Sequence, residues 1–95
     1  MQPAGPNTVL GKFDGQSLTH AGVRYRFLEE DGRYQIALTE PDQPERPLDV
    51  RYTFGVYPLQ QYLVDLPGGR LQALPLAWDS RSKAEGGQRW YGLDS

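Results

Sequence analysis

The sequence predicts an all-β fold, a small antiparallel meander of six to seven short strands that forms a partly open barrel or a sandwich. Three observations support this fold class. Apolar and polar residues alternate along several short runs, which is the period of a half-buried strand. Turn residues separate the runs, with 11 Gly and 8 Pro among 95 residues, and they favour turns over long helices. Aromatic residues make up 12% of the chain, and large rings suit a small β core because each buries about 150–250 Å².

The first half of the chain contains a hairpin signal. Residues 8–10 are a short candidate for the first strand. From Val23 to Phe27, apolar residues alternate with arginines, and residues 34–38 alternate in the same way. Asp31-Gly32 lies between these two runs. This dipeptide predicts a type I′ turn, because such a turn needs positive φ at both central residues.

A third clear strand follows a proline-rich segment. Three prolines fall between Glu40 and Pro47, and we expect a loop over these residues because proline cannot donate a hydrogen bond within a central strand. Gly55 ends the following strand or introduces a bulge. In that strand four apolar residues, Leu48, Val50, Tyr52 and Phe54, alternate with polar ones, which predicts that the four share one face.

The segment from Pro58 to Asp65 is open to two interpretations. Its apolar residues also fit helical spacing, although the flanking prolines leave room for about two helical turns. We favour a strand, because Pro67-Gly-Gly69 reads as a hairpin turn back into residues 70–78. Pro75 turns part of that run into an edge or a bulge. Residues 79–87 form a polar loop, and residues 88–93 form the last strand.

Composition and charge exclude several classes of function. The formal charge is −2 and the pI is about 5.2, which predicts no nucleic-acid partner, since such domains carry a basic face. There is no cysteine, so the chain holds no disulfide, no thiolate metal site and no covalently attached haem. No apolar run reaches the 18 residues of a transmembrane helix, and no signal peptide is recognisable, so we expect no membrane insertion.

His20 is the single histidine of the chain. Alone it cannot form a structural zinc site, which needs four ligands. One imidazole is nevertheless sufficient to serve as an axial ligand to a haem iron supplied from elsewhere. The alternative is an exposed or turn-capping histidine.

The carboxylates nearest the aromatic-rich half of the chain are Asp65, Asp79 and Glu85. A glycosidase needs two carboxylates about 5–10 Å apart, and the sequence places no pair in that way. No nucleophilic triad is visible, and the paired glycines lack the lysine of a phosphate-binding loop. The chain by itself therefore has no recognisable catalytic or metal site.

Glutamine and aromatic residues are concentrated between Tyr57 and Trp90. Gln60 or Gln61 must face the interior if their segment is a strand, and a buried amide is costly unless it is hydrogen-bonded. Such residues usually secure turns or bulges. The functional alternative is a ligand-binding or interface surface. Its candidate residues are Tyr57, Gln61, Tyr62, Trp78, Arg89 and Trp90.

Three segments carry a resemblance to a known family. They are Tyr52-Thr-Phe-Gly-Val-Tyr-Pro-Leu-Gln-Gln-Tyr-Leu-Val64, Gly68-Gly-Arg-Leu-Gln-Ala-Leu-Pro-Leu-Ala-Trp-Asp79 and Gly86-Gly-Gln-Arg-Trp90. They resemble the β insert domain of bacterial multihaem c-type cytochromes with doubled Cys-x-x-Cys-His motifs, often fused to tetratricopeptide repeats. Residues 1–4, 8–14 and 18–23 continue the resemblance, which is loose between Leu28 and Pro47.

The resemblance implies a single β domain, residues 1–95, excised from a larger periplasmic or extracytoplasmic cytochrome that transfers electrons. Because the chain has no Cys-x-x-Cys-His motif, it holds no haem c covalently, and the haem-bearing segments of the parent protein are its implied partners. The expected role is structural or binding, not catalytic, with His20 as a candidate haem contact. Two alternatives remain open: a free-standing small-ligand-binding β-barrel, and a hydrolase with an unrecognised carboxylate site.

Overall fold

The computed structural model describes residues 1–93. Every regular element in this range is a strand apart from one turn of 3-10 helix, Lys83–Glu85. The strands are β1 (Gln2–Pro3), β2 (Ser17–His20), β3 (Val23–Glu30), β4 (Arg33–Thr39), β5 (Arg46–Phe54), β6 (Leu59–Leu66), β7 (Arg70–Ala73), β8 (Leu76–Asp79) and β9 (Arg89–Gly92). No helix in this range is long and apolar enough to cross a membrane.

Seven of the strands form a nearly closed antiparallel barrel. Their order is β2-β3-β4-β5-β6-β8-β9, while β1 pairs with β5 and β7 pairs with β6. The first and last strands of this path, β2 and β9, lie side by side without a ladder between them, and this leaves one unsealed seam. The predicted all-β meander with a partly open barrel is therefore confirmed.

Several predicted elements are confirmed in detail. Asp31 and Gly32 join β3 to β4 with φ angles of 51° and 81°, as a type I′ turn requires. The ambiguous segment after Pro58 is strand β6, and Gly68 and Gly69 turn it back into β7 with positive φ. The predicted run 70–78 is interrupted at Leu74 and Pro75, which separate β7 from β8.

The prediction for β5 was wrong in its second half. The register with β6 shifts between Val50 and Tyr52, so a bulge at Arg51 moves the following side chains to the opposite face. Thr53 is consequently buried, whereas Tyr52 and Phe54 are only half-buried. An alternating pattern read along one strand contains no information about such an extra residue.

Two further boundaries differ from the sequence prediction. Residues 8–10 are not a strand, because Thr8 and Val9 donate backbone hydrogen bonds to the Gly5 carbonyl and close a turn there. Pro47 lies inside β5, opposite Ala37, and not in the preceding loop. It is only the second residue of its strand, a position close to the strand start where proline is tolerated.

The interior of the barrel is filled by aromatic rings. Phe27 and Trp90 stack with their centroids 3.7 Å apart, and Phe13 meets both rings edge-on. Tyr62 and Trp78 complete the cluster around Trp90. Phe13 comes from the irregular segment between β1 and β2, so the amino-terminal part of the chain contributes directly to the core.

Candidate functional site

The six residues predicted to form a ligand or interface surface are not brought together. Tyr62, Trp78 and Trp90 are at most 6% exposed and belong to the core. Tyr57 is 76% exposed, on the loop between β5 and β6. The structure thus divides the set between packing and surface positions, with Gln61 half-buried and Arg89 exposed.

The side-chain amide of Gln60 is hydrogen-bonded, as a glutamine that faces the interior must be. Its carbonyl oxygen accepts hydrogen bonds from the Leu10 backbone N–H at 2.8 Å and from the Tyr62 hydroxyl at 2.6 Å. Its amide nitrogen donates to the Thr8 carbonyl at 2.8 Å. Burial raises the pKa of Tyr62 above its usual value, so this hydroxyl remains a donor. The network secures the amino-terminal segment against β6.

Trp78 carries a buried polar atom without a hydrogen-bond partner. The side chain is 1% exposed, and no acceptor among residues 1–93 lies within reach of its indole N–H. A buried donor left unpaired costs about 1–3 kcal/mol. The apolar packing of the ring against Trp90 offsets this cost.

Asp79 and Arg89 each have a different polar or aromatic partner. The two residues face each other across β8 and β9, but the buried Asp79 carboxylate accepts from Arg81, with the shortest contact 2.6 Å. Hydrogen bonding to Arg81 holds the pKa of Asp79 below its usual value. The Arg89 guanidinium lies over the Tyr91 ring and its Nε donates to the Gly86 carbonyl.

The carboxylates considered for hydrolysis are far apart and individually paired. Asp79 lies opposite Leu59 at the start of β6, whereas Asp65 lies near the end of that strand. Six residues of strand span about 20 Å, well beyond the separation that a pair of catalytic carboxylates needs. Asp65 is bonded to Arg51 at 3.2 Å. No cluster of three or more metal-ligating side chains occurs in residues 1–93.

His20 lies at the unsealed seam of the barrel. Its Nε2 is 3.1 Å from the Leu93 carbonyl oxygen, which can only accept, so this nitrogen carries the proton and donates. The other side of the ring packs on Gly92, where a Cβ atom would collide with it. His20 therefore links β2 to β9 at the position where a ladder is absent.

A surface cleft of about 260 Å³ lies between the amino-terminal segment and the β5–β6 hairpin. None of its side chains is charged, although 23% of the chain is Asp, Glu, Lys or Arg. Polar groups are present as hydroxyls and amides. The lining residues are Met1, Gln2, Leu10, Thr53, Phe54, Gly55, Tyr57, Pro58, Leu59, Gln60 and Ser80.

Large exposed apolar side chains line this cleft or lie next to its lining residues in the chain. Val56 and Tyr57 are 84% and 76% exposed at the tip of the hairpin, and Leu10 is 56% exposed. Gly55 shapes the hairpin tip, since its φ is 114° and a Cβ atom there would approach the Leu59 carbonyl oxygen to 2.6 Å. Sequence reasoning identified Tyr57 but missed Val56 and Leu10. Val56 had a recognisable signal, a β-branched residue inside a Gly-to-Pro turn.

Comparisons of the chain with protein-family models, with curated proteins and with solved structures found no match. The candidate site therefore stands on its own geometry.

Proposed function

We propose that this chain is a non-catalytic binding domain of a periplasmic multihaem c-type cytochrome. It packs against the haem-bearing segments of that protein through the cleft that Tyr57 lines. The observation that carries the binding role is the exposure of Tyr57 and Leu10, two apolar side chains that both line the cleft. Single exposed apolar residues are ordinary, but large exposed apolar side chains that share a cleft indicate an interaction site. The cytochrome context is supported by the sequence resemblance over residues 52–90.

The filled interior favours a surface role over an internal ligand site. Five aromatic rings occupy the barrel centre, and their centroids lie 3.7 to 5.7 Å apart for the pairs in contact. A barrel that binds a ligand inside needs a cavity lined by a few placed polar groups. The cleft lies on the surface of the barrel, where a partner protein can reach it.

A haem contact through His20 is part of this proposal and requires a local change. The Nε2 atom of His20 must leave the Leu93 carbonyl before it can bind iron, and the ring must move away from Gly92. A haem titration followed by absorbance tests this step. We expect a Soret shift in the wild-type chain and its loss in His20→Ala. No shift in either chain would show that His20 does not bind the haem iron.

The cytochrome context is tested in the gene that encodes the chain. Codons for Cys-x-x-Cys-His motifs are expected on both sides of it, and a gene without such motifs would overturn this part of the proposal. In the parent protein, Tyr57→Asp is expected to loosen the domain and speed proteolysis at its boundaries. Gln43→Asp, on the exposed loop between β4 and β5 and outside the cleft, introduces the same charge and is the matched control.

A second candidate function is the binding of a small neutral ligand in the same cleft. The specific observation is its mixed lining, in which hydroxyls and amides accompany Tyr57 but no charged side chain does. Calorimetric titration with a panel of neutral sugars and aromatic compounds tests it. Heat that Tyr57→Ala abolishes would support this function. The absence of heat across the panel would leave protein packing as the role of the cleft.

A further inference from the structure

β7 lies at an edge of the sheet. Within residues 1–93 it pairs with β6 and with no other strand. All four of its residues are exposed, and Leu71 is the largest apolar one at 43%. An edge strand of this kind presents unpaired backbone groups to solvent and is a template for another strand.

The ladder between β6 and β7 determines which backbone groups face outward. The Leu74 N–H donates to the Tyr62 carbonyl at 3.3 Å, and hydrogen-bonded pairs alternate with non-bonded pairs along antiparallel strands. Gln72 opposite Val64 is therefore a bonded pair, whereas Leu71 and Ala73 lie at non-bonded positions. The N–H and C=O groups of Leu71 and Ala73 consequently point away from β6.

One of these outward groups already has a substitute partner. The side-chain amide of Gln72 donates to the Ala73 carbonyl at 2.9 Å. A side chain from the same strand thus occupies an acceptor that a neighbouring strand would use. This bond is exposed and exchangeable, so a strand that arrives can replace it at little cost.

The edge is complementary to itself. When two copies of β7 run antiparallel with Gln72 opposite Gln72, Leu71 of each copy lies opposite Ala73 of the other. The outward groups of these residues then match as two bonded pairs, and the apolar Leu71 side chain covers Ala73. Arg70, the charged residue of β7, lies opposite Leu74 of the other copy. The Arg70 residues of the two copies are about 14 Å apart, beyond the screening length at physiological salt, so they do not repel each other strongly.

We propose that β7 is a strand-addition edge through which two copies of this chain pair antiparallel about Gln72 and form a symmetric dimer. An interface with twofold symmetry uses the same patch on both subunits, as this edge does. The short strand limits the new ladder to four hydrogen bonds, and it buries far less than the roughly 800 Å² per partner of a stable interface. The dimer is therefore weak and forms only at high protein concentration.

Sedimentation velocity of the purified chain from about 10 μM to about 1 mM tests the proposal, since weak complexes populate in this range. We expect the mean mass to rise from 10.7 kDa towards twice that value. Leu71→Pro removes an outward N–H and no hydrogen bond to β6, and it should stay monomeric over the whole range. Leu71→Ala keeps that N–H and should still associate, which makes it the matched control.

Amide hydrogen exchange provides a second readout that needs no variant. The amides of Leu71 and Ala73 should exchange more slowly as the concentration of the wild-type chain rises, while the Gln72 amide should not change. A monomer mass at every concentration would overturn the proposal. A strand of another protein would then be the remaining partner for the β7 edge. Equal association of wild type and Leu71→Pro would also overturn it, because the contact would then lie elsewhere.

Discussion

At the scale of single residues, Gly11 is a position where a side chain would collide with the aromatic core. A Cβ atom there would lie 2.5 Å from the Trp90 ring and 2.7 Å from the Tyr62 hydroxyl oxygen. Both neighbours are buried and cannot move into solvent. Gly11 therefore allows the amino-terminal segment to lie directly on the aromatic core.

We expect Gly11→Ala to lower the free energy of unfolding by about 1–3 kcal/mol, the usual cost of overpacking a core. Urea denaturation followed by tryptophan fluorescence measures this change. Gly5→Ala is the matched control, since a Cβ atom there meets no heavy atom within 4 Å. An equal effect of the two substitutions would show that the close contact does not matter.

Trp78 is a core residue whose truncation should be costly. The side chain is 1% exposed and packs against Trp90, so Trp78→Ala should lower the free energy of unfolding by about 3–5 kcal/mol. Tyr57→Ala, at an exposed position, should change it by less than about 0.5 kcal/mol. An unchanged denaturation midpoint for Trp78→Ala would contradict the placement of this ring in the core.

At the scale of elements, Gln60 joins the amino-terminal segment to β6. We expect Gln60→Ala to cost about 1–3 kcal/mol, because the buried Tyr62 hydroxyl loses its acceptor and the Leu10 N–H loses its partner. Hydrogen exchange should show faster exchange at the Leu10 amide. Gln61→Ala, on the opposite face of β6, should leave that amide unchanged. Unaltered Leu10 protection in Gln60→Ala would show that other contacts secure the segment.

The strands differ in how well the sequence predicted them. β3 and β4 were predicted with their turn, because a type I′ turn depends only on local residues, Asp31 and Gly32. β5 was predicted with the wrong buried face after Val50, because its bulge arises from the register with β6. Local patterns are reliable where neighbouring residues decide the conformation, and they fail where a partner strand decides it.

At the scale of the whole molecule, acid should destabilise the fold. Hydrogen bonds to arginines lower the pKa of three carboxyl groups in the folded state, those of Asp79, Asp49 and Glu45. A carboxyl group with a lowered pKa binds fewer protons in the folded state than in the unfolded state. Its contribution to the free energy of unfolding is therefore complete above its ordinary pKa and is lost as the pH falls through its folded pKa. The ordinary values are 3.8 for Asp and 4.5 for Glu.

We therefore expect the free energy of unfolding to be nearly constant between about pH 5 and pH 7 and to decline below about pH 4.5. Urea denaturation across this range measures it. Arg81→Gln removes the group that lowers the pKa of Asp79 and should flatten the acid decline. An identical decline in this variant would show that Asp79 does not contribute to it.

The candidate site was predicted less completely than the fold. Tyr57 was named from its aromatic surroundings, but the same reasoning named Trp78 and Trp90, which the structure buries. The large apolar ring of an aromatic residue is useful both in a core and at a binding surface. The residue type therefore does not reveal which of the two locations it occupies. The cleft also depends on Leu10, which lies 47 residues before Tyr57 in the chain.

The amino-acid sequence by itself determined the all-β class, the sequence of short strands and the turns at Asp31-Gly32 and Pro67-Gly-Gly69, because alternation and turn residues act between neighbours. Only the tertiary structure decided the bulge in β5, the closure of the barrel to a single seam at His20, and the division of the aromatic residues between core and cleft. These features depend on backbone and side-chain contacts between residues distant in the chain, which no local pattern encodes.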